Sequence, residues 1–330
     1  MRNDTKMVLP TLEEIRMGIN HLKSVNWQPY KKGDDIREYE NLMHKEIIKC
    51  IKIFPQGVLH LDGLNQPILK FFRARPCNEI GLHELRAEYS YPPISYSAIK
   101  RANLQGYPVF YCAFHAITAI MEVIQNRETF ERNRDKLYCI SSWRIKDSRN
   151  LKLASFIGAV DKEHFFYSFS QFQLNELKRQ FSESTENEEQ VEAISELYEF
   201  LSNTFLEDKE YGISSYLAHK YLYARHTHRA DVLMYPSITT DKRTINFAIN
   251  PNFVDERMYL KYVYLCRVDE VDFNSGVVKF SLENIGVNKE TIIHWKKKFD
   301  IKDPEILGII KEDLSHGIDK EIVSALVNSM

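Results

Sequence analysis

A carboxylate inside an apolar run, two arginines one residue apart and a serine directly after a proline are the residues of this 330-residue chain whose setting points to chemistry. Glu122 lies between Ile120-Met121 and Val123-Ile124, on a segment that reads as a helix from about Ala116. A carboxylate is costly to bury there unless it is paired. On the solvent face of that helix it would do nothing, and the residues alone leave both readings open. In Phe71-Phe72-Arg73-Ala74-Arg75 the strand period of two puts both guanidinium groups on one side. Such a pair can clamp a phosphate or carboxylate with parallel hydrogen bonds, unless it sits on an edge strand with solvated charges. Arg101 opens a stretch that runs through Gly106 and Pro108 to Val109-Phe110-Tyr111, and Val232-Leu-Met-Tyr235-Pro236-Ser237 ends an apolar strand at a hydroxyl, where side chains often point into a cleft.

Common signatures are missing. The chain has no Gly-x-Gly-x-x-Gly, no Walker loop, no His-Glu-x-x-His and no Gly-x-Ser-x-Gly. His226-x-His228 stands beside Arg225 and Arg229 with no Cys or carboxylate at ligand spacing, so it reads as a polar surface turn, and no metal is expected. The five cysteines are scattered without a Cys-x-x-Cys pair and read as reduced, mostly buried thiols. With 44 basic and 46 acidic residues the formal charge is -2, which leaves no electrostatic footprint for direct nucleic-acid binding. The apolar stretch Val109 to Ile124 is interrupted by His115 and Glu122 and falls short of the roughly 20 residues a bilayer crossing needs, so no membrane partner is expected. Met1-Arg2-Asn3-Asp4 lacks the apolar region of a signal peptide, which points to the cytoplasm.

The elements that must position these groups are short. Thr11 and Glu14 have capping-box spacing ahead of a helix carrying Leu12, Ile15, Ile19 and Leu22, and a second apolar stripe runs from Ile36 to Phe54. From Ile68 the texture becomes short apolar runs broken by Pro, Gly and Asn. Strands are expected over 108–112, 138–145, 151–157, 231–235 and 244–249, with helices over 174–181 and 191–201. Two further strands, 260–268 and 277–282, flank Asn274-Ser275-Gly276, and the remaining residues read as helical. Irregular alternation favours an α+β fold over a doubly wound sheet. The expected division is a helical accessory region over 1–66, a main domain with a helical insertion and C-terminal strands over 67–284 and a helical tail over 285–330.

Taken together, the segments resemble the RES domain, named for Arg, Glu and Ser. The matching pieces are Arg73 after its apolar pair, the Arg101-Ala-Asn stretch leading through Gly106 and Pro108 to Tyr111, Ala119-Ile-x-Glu122, and Tyr235-Pro236-Ser237 followed by Asn246, spanning roughly 68–251. Lys100 stands where the family usually has Gly, His115 where Asp is frequent, and Ala74 where some small members carry Tyr. The resemblance implies a fold like that of diphtheria-toxin-type ADP-ribosyltransferases and a toxin of a toxin-antitoxin system that destroys NAD. NAD would be substrate rather than cofactor. Inorganic phosphate, or water, would replace nicotinamide on the ribose, phosphorolysis giving ADP-ribose 1''-phosphate.

It further implies catalytic roles for Arg73, Glu122 and Ser237, with Arg73, Arg101, Tyr111 and Ser237 binding NAD or phosphate. Arg75 is the alternative to Arg73. Ser237 would bind rather than attack, because no motif supplies a base beside it. Family members are commonly neutralised by a helix-turn-helix antitoxin, and such a partner and a homodimer are implied here. Two other functions stay open at this point: transfer of ADP-ribose to a macromolecule, and a non-catalytic interaction module built on the N-terminal helices.

Overall fold

Thr11 caps α1 (Leu12–Ser24) as its spacing predicts: the Glu14 amide donates to Thr11 Oγ1 at 3.2 Å, and the Thr11 amide donates to Glu14 Oε2 at 2.9 Å. A computed structural model describes residues 9–27, 30, 34–50, 59–61, 70–133, 136–147, 149–158, 160, 162–164, 166–182, 187–223, 229–274 and 276–314. After α1 come α2 (Ile36–Cys50), β1 (Leu59–Leu61), β2 (Lys70–Pro76), β3 (Phe110–Ala113), α3 (Ala116–Ile124) and α4 (Arg127–Arg132). The middle of the chain forms β4 (Leu137–Ile145), β5 (Leu151–Ser155), α5 (Tyr167–Ser182), α6 (Glu188–Glu207) and α7 (Gly212–Leu222). It ends with β6 (Val232–Pro236), β7 (Ile245–Ile249), α8 (Pro251–Arg257), β8 (Met258–Asp272), β9 (Val277–Lys289), β10 (Ile292–Trp295) and α9 (Pro304–Leu314).

The strands form one ten-stranded sheet in the order β1-β5-β6-β7-β3-β2-β4-β8-β9-β10, in which β5 and β6 alone run parallel. This is a mixed α+β architecture. β2 is central, not an edge strand: it pairs with β4 from Lys70↔Arg144 to Pro76↔Tyr138. Its other side meets β3 through the single pair Phe72↔Ala113. The two halves of the sheet therefore part immediately beside Arg73.

Strand alternation sorts the core. Phe71, Phe110, Trp143, Met234, Ile245 and Phe247 pack on one face. On the other, Phe72, Ala74 and Ala113 meet Ala116, Ala119, Ile120 and Ile124 of α3, while Leu233, Tyr235 and Ala248 meet α6 and α7. α1 and α2 lie over α6 and α7, with Ile15, Leu22 and Ile47 buried there. Gly18 permits the close approach of α1 to α2, since a Cβ at that position would stand 2.9 Å from the Cys50 carbonyl oxygen.

The C-terminal expectation needs correction. Residues 285–295, read as helical from sequence, are strand: β9 runs on to Lys289 and pairs with β10, and the helix is confined to Pro304–Leu314 among the described residues. These strands lie at the sheet edge, where buried Ile293 sits between exposed Ile292 and His294 and buried Ile285 between Asn284 and Gly286, so neither period of two nor of 3.6 stands out. The N-terminal region is likewise not wholly helical, because β1 adds a strand beside β5.

α7, which no sequence signal marked, carries a half-buried histidine. His219 packs edge-on to Tyr107 at 4.4 Å and stacks on Tyr223 at 5.4 Å, with Nδ1 buried and unpartnered. Burial, assisted by Lys220, pushes its pKa down from 6.5 to about 4. As pH falls the unfolded chain takes up this proton first, so stability is lost between 6.5 and 4. A loss of roughly 2–3 kcal/mol between pH 7 and pH 4 is expected from this group. Urea midpoints across that range should fall less steeply in His219→Gln than in the wild type.

Candidate active site

Glu122 does not emerge into solvent as a lone charge. It lies on the last full turn of α3, whose apolar residues bind the helix to the sheet, and it reaches sideways to the hairpin of β6 and β7. Ser237 Oγ donates to Glu122 Oε1 at 2.6 Å, Thr239 Oγ1 at 2.9 Å and Asn246 Nδ2 at 2.6 Å. All three bonds converge on Oε1, which leaves Oε2 without a hydrogen-bond partner among the described residues. Hydrogen bonds to an ionised acceptor are the strong kind.

The hairpin explains the convergence. Tyr235 pairs with Asn246, so Ser237, just beyond β6, and Asn246, near the start of β7, lie side by side. The Ser237 amide donates to the Thr244 carbonyl and the Lys242 amide to the Ser237 carbonyl, both at 2.8 Å. Asp241 and Lys242 complete the turn with left-handed φ of 55° and 61°. This folds Thr239 back against Ser237, at 2.9 Å between hydroxyl oxygens. Ser237 is fully buried, and Asn246 keeps a buried Oδ1 with no partner. Thr239 was invisible in the sequence, because nothing in Ser-Ile-Thr-Thr-Asp-Lys announces that turn. The Glu122 carboxylate thus accepts a hydrogen bond from the Ser237 hydroxyl. Thr239→Val should cost about 1 kcal/mol of stability by deleting one donor. Urea midpoints of Thr239→Val beside the wild type check this cost.

Arg73 occupies the place where the sheet halves part. Its Nη1 donates to the Tyr111 carbonyl at 2.9 Å, its guanidinium lies 5.8 Å from the Phe110 ring centre, and its Nε is buried without a partner. Burial, with Arg75 nearby, pushes it down to about 10. Lys100 is lowered in the same way, by burial and then by Arg73, while Glu79 opposes the shift in both. Arg73 thus disfavours the charge on Lys100 as Arg75 does that on Arg73, a strain that a bound anion relieves. Arg75 is committed elsewhere, donating to the carbonyls of Glu88 at 2.6 Å and Glu79 at 2.8 Å. Arg73, by contrast, holds a buried Nε without a partner.

Arg101 has structural partners of its own. Its Nη1 donates to the carbonyls of Phe205 and Leu206 at the C-terminal end of α6, and its guanidinium lies over Tyr211. Cations at helix C-termini satisfy free carbonyls and the helix dipole, and this accounts for the contact without any ligand. Tyr111 is fixed through its hydroxyl, which accepts from the Ala102 amide at 2.9 Å and donates to Asn103 Oδ1 at 2.8 Å. Its ring already carries Lys100 at 6.0 Å. Tyr235 is raised first by burial and then by Tyr111 and Glu122, with Arg101 opposing the shift. Tyr111 in turn is raised by burial, with Arg101 and Arg73 opposing the shift.

An open cavity of about 930 Å³ lies between α1 and α6 and reaches the site turn through Lys242. Glu196, Glu199, Glu207 and Asp208 line it against Arg16, Lys23 and Lys242, an acidic balance that does not suit a phosphate ester. His226 and His228 lie outside the described residues. No helix among the described residues is long and apolar enough to cross a membrane.

A divided mixed sheet with a hydroxyl- and amide-bound carboxylate on one side of a buried tyrosine, and desolvated cations on the other, belongs to a class of sites suited to anionic ligands that develop positive charge. The family model of the RES domain matches residues 70–264, more than half of the chain, and the chain belongs to that family. The family is associated with toxin-like enzymes acting on NAD. No curated protein matches the chain.

Proposed function

We propose that this chain cleaves the nicotinamide–ribose bond of NAD and transfers the ADP-ribosyl group to inorganic phosphate, on a fold of the ADP-ribosyltransferase type. The observation that carries the reading is the convergence of Ser237, Thr239 and Asn246 on Glu122 Oε1. As nicotinamide departs, positive charge develops on the ribose, and a rigidly held carboxylate stabilises that charge more than the ground state. Glu122 takes this role, with Oε2 left to meet the ribose. Ser237 fixes the carboxylate through the hydrogen bond it donates and contacts ribose or phosphate through its oxygen lone pairs. Arg73, helped by Lys100, takes the diphosphate, and Tyr111 borders the nicotinamide. Arg101 acts on the site by fixing α6 beside Tyr111 and Tyr235.

The test is product identification. Purified protein is incubated with NAD with and without inorganic phosphate, and products are separated by mass. Nicotinamide with ADP-ribose 1''-phosphate, formed only when phosphate is present, is the expected result. Free ADP-ribose in both reactions would make water the acceptor, label carried onto protein or nucleic acid would make the chain a macromolecular transferase, and unchanged NAD would remove the reading.

A further inference from the structure

A second cluster of chemically capable side chains lies across the β2–β4 seam, away from Glu122. The thiol sulfurs of Cys77 and Cys139 and a ring nitrogen of His83 all lie within 4.8 Å of one another. Cys77 Sγ stands 3.8 Å from His83 Nε2. The end of β2 brings the thiols together: Arg75 pairs with Cys139 and Pro76 with Tyr138, and Cys77 follows at once as the first residue of the 3-10 turn Cys77–Glu79. The His83 carbonyl accepts from the Tyr89 hydroxyl at 2.9 Å and from Trp295 Nε1 at 3.2 Å, so its backbone is anchored from two directions. Cys139 is buried, whereas Cys77 and His83 are half-buried and give an ion a path in.

We infer that Cys77, His83 and Cys139 form a binding site for a thiophilic divalent cation of the zinc type. In a tetrahedral zinc site, bonds of roughly 2.3 Å to sulfur and 2.0–2.1 Å to nitrogen place ligand atoms about 3.5–3.8 Å apart, the spacing already present between Cys77 and His83. Two thiolates and a neutral imidazole balance the charge of the ion, so nothing unpaired is buried. Each thiol gives up its proton on binding, two protons leave for each ion, and water takes the fourth position. No oxidant is involved. The bound ion would tie the 77–89 segment to the sheet beside Glu79, the carboxylate that opposes the charge suppression of Arg73 and Lys100. The inference stands apart from the reading of the Glu122 site.

The test uses the full chain, reduced and stripped with a chelator, titrated with cobalt(II) and then zinc(II). One equivalent of cobalt should give a thiolate-to-cobalt charge-transfer band with tetrahedral d–d absorption, and zinc should displace it. Cys77→Ser and His83→Asn, both at half-buried positions, should weaken affinity at least about tenfold to hundredfold, the range lost even when an outer-shell partner is removed. If either variant fails to fold, alkylation of the wild type decides: zinc should protect Cys77 and Cys139, mapped by peptide mass, and leave Cys50 as reactive as before. Absence of the thiolate band in folded wild type, a band unchanged in both variants, alkylation of Cys77 indifferent to zinc, or a Cys77–Cys139 disulfide in freshly isolated protein would each overturn the site.

Discussion

Glu122→Gln is expected to lower NAD turnover by about 10²- to 10⁴-fold while the protein stays folded, because it removes the charge that stabilises the developing cation. Glutamine keeps the shape and an acceptor oxygen, so Ser237 Oγ, Thr239 Oγ1 and Asn246 Nδ2 still have a partner. What changes is the strength of those bonds, since hydrogen bonds to charged groups contribute about 1.5–3 kcal/mol and neutral ones about 0.5–1.5. A stability loss of roughly 1–3 kcal/mol follows from that difference. The kinetic effect should fall on kcat, with KM for NAD little changed, because the lost interaction belongs to the transition state. Circular dichroism and a urea midpoint, measured beside the rate, separate loss of chemistry from loss of fold. A folded Glu122→Gln protein with undiminished turnover would discard the assignment.

The largest effect on stability is expected from Asp313, far from this chemistry. Its side chain is fully buried at the end of α9, where it pairs with Arg144 on β4 and accepts from the Tyr264 hydroxyl at 2.5 Å. Arg144 also donates to Ser142 Oγ and to the Trp143 carbonyl, both at 2.9 Å, and Lys70 Nζ reaches the Glu312 carbonyl at 2.5 Å. β2, β4, β8 and the last described helix meet at this network. Asp313→Ala leaves a guanidinium buried without its counter-charge, for which about 3–5 kcal/mol is the expected cost. The melting temperature should drop by roughly 10 °C. A double replacement, Arg144→Met with Asp313→Leu, should recover most of that loss, because an apolar pair of similar volume removes the desolvation cost along with the charges. A drop of less than about 1 kcal/mol in Asp313→Ala would show that the pair is not held as described.

The site was legible where residue type constrains chemistry. Glu122 stood out because a carboxylate in an apolar helix demands partners, and the fold supplies Ser237 and Asn246, both already marked in the sequence. Thr239 was not legible, since its place depends on left-handed backbone at Asp241 and Lys242, residues that do not advertise such a turn. Arg101 looked like a phosphate ligand because an arginine's destination is set by tertiary contacts, here the end of α6. The same limit hid the Cys77, His83 and Cys139 cluster, whose members meet only through the pairing of β2 with β4. Capping chemistry, by contrast, is local, and Thr11 with Glu14 fixed the start of α1 from four consecutive residues.

The proposed function requires one site that holds the NAD diphosphate on its cationic side and the nicotinamide–ribose bond against Glu122. A crystal structure of the Glu122→Gln protein with NAD, whose slow turnover should preserve the intact dinucleotide, tests this placement. Diphosphate density beside Arg73 and Lys100, the nicotinamide ring bordering Tyr111, and the ribose C1'' carbon adjacent to the side chain at position 122 are expected. NAD seated in the cavity between α1 and α6, or bound with its ribose remote from Ser237 and Asn246, would contradict it.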